Sequence, residues 1–142
     1  MILSPFILSI ETSLDDTCAA VTRGHNILSS VVSSQTSYHA QWGGTVPDIA
    51  KRLHQEWLPK VVDLALRKAG NPKLDAIAVT IGPGLAPSLE QGITYARELA
   101  SKWNLPVIAV NHMEGHLLSS FACTKTSTRG LHNPLYPALG FL

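Results

Sequence analysis

The stretch "ILSIETSLDDTCAAV", residues 7–21, decides the fold that this sequence predicts. It begins inside a nearly continuous apolar run, "FILSIE" at 6–11, which is rich in strand-forming residues and typical of a strand buried on both faces. After the polar turn "TSLDD", the run "TCAAVT" at 17–22 predicts a second strand. Because turn residues 24–26 separate that run from "ILSSVVS" at 27–33, the three segments predict an antiparallel meander.

A helical period follows the meander. The segment "SSQTSYHAQWGG" at 33–44 reads as a loop because of its Ser and Gly content. From Pro47 to Ala69 the apolar residues recur with helical spacing, and Gly70 is the expected terminator. Pro59, inside this segment, predicts a break or a restart of the helix.

Strands and helices alternate in the rest of the chain. The runs "DAIAVTIG" at 75–82 and "PVIAV" at 106–110 predict two further strands. Ser88 and Gln91 have the spacing of a capping box, which predicts the start of a helix between those strands. The segment "HMEGHLLSSF" at 112–121 predicts another helix, directly after the second strand.

The predicted order is β1-β2-β3-α-β-α-β-α, and "YPALGFL" at 136–142 begins one more strand. This order predicts an α/β fold with a mixed sheet, as in ribonuclease-H-like and actin-like ATPase lobes. The 142 residues are enough for one domain, which at this size buries roughly 70% of its extended-chain surface. We therefore expect residues 1–142 to form a single lobe.

The composition excludes several classes of protein. Hydrophobic residues make up 45% and charged residues 15%, which argues against disorder. The formal charge of +1 gives no basic field of the kind that announces nucleic-acid binding. Cys18 and Cys123 have no metal-ligand spacing, which favours a reducing compartment. The amino-terminal apolar run is too short for a signal peptide or a membrane span, so we expect a cytoplasmic protein, with mitochondria as the alternative location.

Three polar segments follow the first, fourth and fifth predicted strands: "TSLDD", "GPGLAPS" and "NHMEGH". Ligands of open α/β sheets bind beyond the carboxyl ends of the parallel strands. We therefore expect these three segments to meet at one edge of the sheet.

The histidines of "NHMEGH" are candidate metal ligands. On a helix, His112 and His116 share one face with Cβ atoms about 6 Å apart, which lets two imidazoles bind one divalent cation. An isolated pair of this spacing is more often a surface or capping pair, and the position after a strand strengthens the metal interpretation. The third ligand would come from beyond this sequence or from one of five residues: His39, His54, Glu11, Asp15 and Asp16.

The segment "ETSLDDT" at 11–17 carries three carboxylates and three hydroxyls, and it has two interpretations. One is an ordinary turn with Asp side chains bonded to local backbone. The other is a catalytic turn, in which Glu11, Asp15 and Asp16 are candidate catalytic groups that orient a nucleophile. In that case the hydroxyls of Thr12 and Ser13 are candidate phosphate or substrate contacts.

Two further motifs are weaker. "GPGLAPSLEQG" at 82–92 offers glycines and a helix start that can receive an anion, but without the Lys-Ser/Thr of a P-loop it reads first as a structural turn. A zinc protease of the H-E-x-x-H type carries its general base directly after the first histidine. Met113 has that place here, and Glu114 lies about 200° around the helix, so the geometry disfavours a protease.

Taken together, the motifs resemble the TsaD-type tRNA threonylcarbamoyladenosine synthases, also called Gcp or O-sialoglycoprotein endopeptidases. The matching stretches span residues 7–120 in family order: "ILSIETSLDDTCAAV", "SSQTSYHAQWGGTVPDIAKRLH", "GPGLAPSLEQGITYARELA" and "PVIAVNHMEGH". The resemblance implies an actin-like, two-lobed enzyme that transfers a threonylcarbamoyl group from threonylcarbamoyl-AMP to N6 of the adenosine beside the anticodon of tRNA. It also implies that His112 and His116 bind a divalent metal, iron or zinc, and that Asp15 and Asp16 match the acidic pair of the family.

The sequence departs from the family pattern at two points. Leu14 replaces a common Cys in the first motif, and the later Ser-Gly-Gly-His-Thr segment, the nucleotide-binding residues and an Asp metal ligand are not in this sequence. We therefore expect these residues to be the amino-terminal lobe only, with the second lobe absent and the fragment inactive by itself. The alternative is a non-catalytic module like the TsaB-type paralogues; the retained histidine and aspartate pairs favour the enzyme.

The last expectation concerns a partner. From residue 57 onward, the apolar positions of helix 47–69 cover more than the stripe that packing on a sheet requires. Either Pro59 splits the segment into two pieces with different buried faces, or the extra face of helix 47–69 packs with helix 88–103 against a second subunit. The resemblance implies the second, with a TsaB-type paralogue or a homodimer, and Leu66 is a predicted outward position.

Overall fold

The computed structural model describes residues 4–122. Its elements, in chain order, are β1 (Phe6–Glu11), β2 (Asp16–Arg23), β3 (Asn26–Ser34), α1 (Thr36–His39), a 3-10 turn (Ala40–Trp42), α2 (Pro47–Lys68), β4 (Ala76–Gly82), α3 (Ala86–Trp103), β5 (Val107–Asn111) and α4 (His112–Ser119). The predicted order of strands and long helices is confirmed. The strand predicted at 136–142 lies outside the described residues.

The five strands form one mixed sheet in the order β3-β2-β1-β4-β5. The meander is antiparallel, with Leu8 opposite Val21, whereas β1 and β4 are parallel, with Leu8 beside Ile77. The strands β4 and β5 are also parallel. Because β1, β4 and β5 run in the same direction, their carboxyl ends lie at one edge of the sheet.

The core lies on one face of this sheet. Leu8 and Ile10 alternate along β1 onto that face and are buried against α2 and α3, where Leu58 and Ala96 belong to the same cluster. Burying side chains of the size of leucine stabilises a fold by about 1.5–3 kcal/mol each, so this layer contributes to the stability of the lobe. On the opposite face, small side chains such as Ser9 line an open groove of about 460 Å³.

Three local predictions were wrong. The segment predicted as a loop at 33–44 contains the end of β3, the short helix α1 and the 3-10 turn. Pro59 does not split α2, which is continuous; its ring lies on the exposed side of the helix, where the lost backbone donor is tolerated. Leu66 is not outward, because it is partly buried against the core, whereas Leu64 is 37% exposed.

The start of α3 also differs from its prediction. Ser88 is not an N-cap, because the helix begins at Ala86 with Leu85 as the N-cap residue and with a proline in its first turn. The Ser88 hydroxyl is buried and donates instead to the carbonyl of Leu14, 3.1 Å away. The C-terminus of α2 follows prediction, since Gly70 adopts a φ of +82° directly after it.

Within residues 4–122, none of the helices combines the length and the apolar character needed to span a bilayer.

Candidate functional site

The polar segments after β1, β4 and β5 meet at one edge of the sheet, as predicted. The backbone N–H of Leu85 donates to the carbonyl of Ser13 over 2.7 Å. The hydroxyl of Ser13 lies 3.2 Å from Nδ1 of His112. These contacts bring the turn after β1, the loop after β4 and the start of α4 together in one site.

His112 and His116 face each other across the first turn of α4. Asn111 caps this helix by accepting from the N–H groups of Met113 and Glu114, which places His112 at the first helical position. The Nε2 atoms of the two histidines are 3.0 Å apart and their rings are nearly perpendicular, at 87°. Two imidazole nitrogens at about 2.0–2.1 Å from one tetrahedral zinc ion lie about 3.3 Å apart, so the pair has the spacing of two ligands of one metal.

The other nitrogen of His112 contacts a carboxylate. Its Nδ1 lies 3.2 Å from Oε2 of Glu11, which also accepts the hydroxyl of Thr80. Metal-binding histidines usually donate their second N–H to a carboxylate, which fixes the tautomer and leaves Nε2 free for the metal. Glu11 is therefore placed to orient His112.

Glu11 is ionised at neutral pH. Burial alone would raise the pKa of Glu11, but hydrogen bonds from Ser13, Thr80 and His112 outweigh it and hold that pKa below its ordinary value. A carboxylate in this state accepts the Nδ1–H of His112 across the pH range in which imidazoles bind metals.

The residues present fit part of a metal site. In the part of the chain that the structure describes, no group of three or more His, Cys, Asp or Glu side chains is arranged to hold a metal. His39 and His54, both considered as the third ligand, are buried away from the pair and use both ring nitrogens in other hydrogen bonds. The expectation that His39 or His54 supplies the third ligand is therefore wrong. His112 and His116, with Glu11 hydrogen-bonded to His112, do fit as ligands of a divalent ion.

Cys18 does not add a ligand to this site. It is the strand neighbour of Glu11, and burial, together with the charges of Asp16 and Glu11, raises the pKa of its thiol to about 12. Among the described residues, Cys18 included, no three such side chains are arranged to hold a metal.

The turn after β1 is held by its carbonyl groups. Ser13 O accepts from Leu85, Leu14 O accepts from both Ser88 Oγ and His54 Nε2, and Asp15 O accepts from the N–H of Gln35 at 2.9 Å. Three consecutive carbonyls are therefore bonded to three different segments. This anchoring fixes the backbone from which Asp15 and Asp16 project.

Asp15 and Asp16 are both partly exposed at this edge. Asp16 pairs with Ser34 in the ladder of β2 and β3. Its Oδ1 atom is buried and has no hydrogen-bond partner among the described residues. Native proteins rarely leave such an atom unpaired, so this oxygen is a candidate contact for a bound group.

The hydroxyls of Thr12 and Ser13 differ in their surroundings. Thr12 is 1% exposed and its hydroxyl donates to Ser88 O at 2.9 Å, so in this conformation it supports the fold. Ser13 is also buried, but its hydroxyl lies next to His112 and so borders the site directly. Substrate contact by either hydroxyl stays a prediction.

Two glycines allow this turn to pack against α3 and the loop before it. A Cβ on Gly84 would lie 2.5 Å from the carbonyl oxygen of Ser13, and a Cβ on Gly92 would overlap Oγ1 of Thr12. Side chains at either position would displace the turn. Gly84 was visible in the sequence as part of a turn-rich loop, but nothing local indicated that Gly92 approaches Thr12.

The geometry also bears on the protease interpretation. The groove on the open sheet face is lined by His112, Gly115 and His116, and neither Met113 nor Glu114 lines it. A general base for a metal-bound water must lie beside the metal ligands. Glu114 is exposed and does not meet this requirement.

Solved structures of similar fold indicate the fold class of this chain. The structure is similar to YeaZ from Pseudomonas aeruginosa, with a TM-score of 0.63 and 24% sequence identity over 82% of this chain and 48% of that one. A second solved structure, described as an uncharacterized protein with similarity to peptidase YEAZ from Pseudomonas aeruginosa, gives a TM-score of 0.60 at 23% identity. These likenesses confirm the predicted class, an actin-like α/β lobe.

The chain belongs to the TsaD family, described as tRNA N6-adenosine threonylcarbamoyltransferase, whose model matches residues 26–139. A relative of that name from Anaeromyxobacter dehalogenans (strain 2CP-1 / ATCC BAA-258) is 44% identical over 95% of this chain and 44% of its own length. A second, from Geobacter sp. (strain M21), is 51% identical over 81% of this chain and 34% of its own length. The chain thus spans less than half the length of these curated relatives.

Proposed function

We propose that this chain is the metal-binding amino-terminal lobe of a tRNA threonylcarbamoyltransferase. The observation that carries the proposal is the facing pair His112 and His116 with Glu11 behind it, at the carboxyl edge of an actin-like sheet. Family membership supports the same activity, because relatives covering most of this chain carry that name. A second lobe completes the active site in this proposal, and the bacterial relatives support a cytoplasmic location.

The proposed reaction joins the threonylcarbamoyl group of threonylcarbamoyl-AMP to N6 of an adenosine in tRNA. The N6 nitrogen attacks the carbamoyl carbon, the bond from that carbon to the adenylate phosphate breaks, and N6 loses a proton. A divalent metal, iron or zinc, held by His112 and His116 would supply Lewis-acid stabilisation of the donor oxygens and would orient them.

Each carboxylate of the turn has a different part in the proposal. Glu11 keeps the Nδ1–H of His112 in place, so that Nε2 faces His116. Asp15 and Asp16 orient the attacking amine, and one of them accepts its proton as a general base. Both aspartates are partly exposed at this edge, which supports a contact with substrate there.

A partner surface on α2 is the second part of the proposal. Leu64 is 37% exposed, whereas Trp57 and Leu66 are partly buried against the core. The helices α2 and α3 pack side by side on the same sheet face, so their outer sides form one continuous helical surface. We propose that this surface binds a TsaB-type paralogue or a second copy of the chain.

A transfer assay tests the proposed function. The full-length protein would be incubated with tRNA and threonylcarbamoyl-AMP, and threonylcarbamoyladenosine would be measured in the digested tRNA. We expect product with the wild type and a loss of about 100-fold in kcat for Asp15→Asn with Asp16→Asn. Asp48→Asn, an exposed carboxylate at the start of α2, is the matched control and should retain activity.

The alternative, a non-catalytic module, predicts a different result in the same assay. The full-length protein would then form no product by itself but would stimulate a separate TsaD-type enzyme. In that case the double aspartate variant would stimulate as well as the wild type, and the enzymatic proposal would be wrong.

A further inference from the structure

Among the described residues, two histidines outside the metal pair are buried. His54 is fully buried on α2, and His39 is 3% exposed at the end of α1. Gln35, also fully buried, lies between them. Buried polar side chains are costly unless every donor and acceptor is paired, so the hydrogen bonds of these three residues reveal what they do.

The direction of the hydrogen bonds is fixed at one end by a backbone N–H. Val46 N donates to Nδ1 of His39 over 3.2 Å, so this nitrogen is an acceptor without a proton. The proton of neutral His39 is therefore on Nε2, which donates to Oε1 of Gln35 at 3.0 Å. The amide nitrogen of Gln35 is left to donate onward, and it lies 3.4 Å from Nδ1 of His54.

The direction is fixed at the other end by a carbonyl. Leu14 O can only accept, so Nε2 of His54 carries the proton and donates to it at 3.1 Å. Nδ1 of His54 then accepts from the hydroxyl of Thr17 at 2.8 Å as well as from Gln35. Both ends impose the same polarity, so the bonds run without conflict from Val46 to Leu14.

We infer that His54 is a positioning residue: through its bond to the Leu14 carbonyl it holds the turn that carries Asp15 and Asp16. The catalytic consequence rests on the proposed function, but the structural claim does not. Burial lowers the pKa of His54, with the Leu14 hydrogen bond opposing this effect, so the ring stays neutral and can donate and accept together.

His54 is a histidine in an otherwise apolar stripe of α2. His54 is four residues from Ala50 and four from Leu58, both buried, and a leucine there would pack against the same core. A leucine would leave the hydroxyl of Thr17 without its acceptor and Leu14 O with only Ser88 as donor. His54 therefore hydrogen-bonds to the turn and also packs in the core.

Amide hydrogen exchange of the chain tests the structural claim. The N–H groups of Gln35 and Leu85 bond to the turn, whereas the N–H of Ile77 bonds to Pro106 O in the sheet. We expect His54→Leu to reduce protection at Gln35 and Leu85 about tenfold more than at Ile77. Equal loss at all three amides would overturn the inference, since it would mean that His54 only stabilises the core.

The control variants separate positioning from packing. Leu58→Ala removes a core side chain one turn further along α2, and it should reduce protection at the three amides equally. His54→Gln retains one donor and one acceptor and should restore much of the protection at Gln35 and Leu85. If His54→Leu does not fold, His54→Phe, which fills the site with a planar ring but cannot donate to Leu14 O, takes its place with the same expected pattern.

The catalytic consequence is measured separately with the full-length protein. In the transfer assay, His54→Leu should lower kcat about tenfold with little change in KM for tRNA, and His54→Gln should recover most of it. Leu58→Ala should retain kcat at a temperature where it is folded. A wild type without transfer activity would contradict the proposed function and leave the exchange result standing, whereas an active His54→Leu with wild-type kcat would contradict the positioning of Asp15 and Asp16.

Discussion

Nδ1 of His112 lies 3.2 Å from the carboxylate of Glu11, while Nε2 of the same ring lies 3.0 Å from Nε2 of His116. The carboxylate of Glu11 thus fixes Nδ1 of the imidazole, and Nε2 of the same ring faces His116. Glu11→Gln should weaken the binding of zinc by about 10–100-fold, because the amide holds the ring less firmly and makes it less basic.

Titration calorimetry with zinc would measure this change. Glu114→Gln lies on the same helix, is exposed and does not line the groove, so it should bind zinc like the wild type. Equal affinity for Glu11→Gln and Glu114→Gln would mean that Glu11 does not support a metal ligand.

The close approach of Gly92 to Thr12 predicts a loss of stability. A methyl group at position 92 meets a buried, hydrogen-bonded side chain, so Gly92→Ala should cost about 1–3 kcal/mol in the free energy of unfolding. Gly115→Ala, in open space on α4, should instead stabilise by about 0.5–1 kcal/mol through helix propensity. Urea unfolding of both variants tests this, and a stabilised Gly92→Ala would show that Thr12 can move away from α3 at no cost.

The buried His54 predicts a pH dependence of stability. Burial lowers the pKa of the folded residue below its ordinary value, so below about pH 6.5 the unfolded chain binds a proton that the folded chain excludes. The free energy of unfolding should therefore fall as the pH is lowered through this range, by up to about 1.4 kcal/mol per pH unit, until the folded pKa is reached.

Urea unfolding between pH 7.5 and about pH 5 lies above the range in which most carboxylates titrate, and comparison with His54→Gln separates the contribution of His54. His54→Gln should flatten the slope, and His25→Gln, on the exposed turn between β2 and β3, should retain it. A slope that is unchanged in His54→Gln would mean that His54 takes up its proton without unfolding.

The exposed side of α2 predicts association. Leu64→Glu should weaken self-association or binding of a TsaB-type protein by about tenfold or more, because the carboxylate would be desolvated in a helical interface. His25→Glu adds the same charge away from the helices and should have little effect. Analytical ultracentrifugation gives the result, and a wild type that stays monomeric and binds no such partner at micromolar concentration would contradict the interface.

Features set by periodicity could be predicted from the sequence. The alternation in β1, the helical spacing of α2 and the glycine after it each reflect a local rule, and the structure follows them. The pairing of His112 with His116 also follows from the four-residue repeat of a helix. Their placement beside the turn after β1 follows from the rule that parallel strands end at one edge.

Features set by contacts between distant segments could not be predicted from the sequence. Ser88 has the local pattern of a helix N-cap, but its hydroxyl donates a hydrogen bond to the carbonyl of Leu14, which is 74 positions away. His54 looked like a metal ligand, and only its bond to the same carbonyl reveals its use. The position of His54 between Ala50 and Leu58 did carry a signal, since a histidine inside an apolar stripe is usually a buried, fully bonded one.

Transfer activity measured together with metal content tests the central claim most directly, namely that His112 and His116 hold the metal of a threonylcarbamoyltransferase. The full-length wild type, His112→Ala with His116→Ala, and His25→Ala would be purified alike and assayed with tRNA and threonylcarbamoyl-AMP. We expect the double variant to lose its metal and about 100-fold or more of its activity, and His25→Ala to retain both. A double variant with wild-type metal content and wild-type activity would contradict the account.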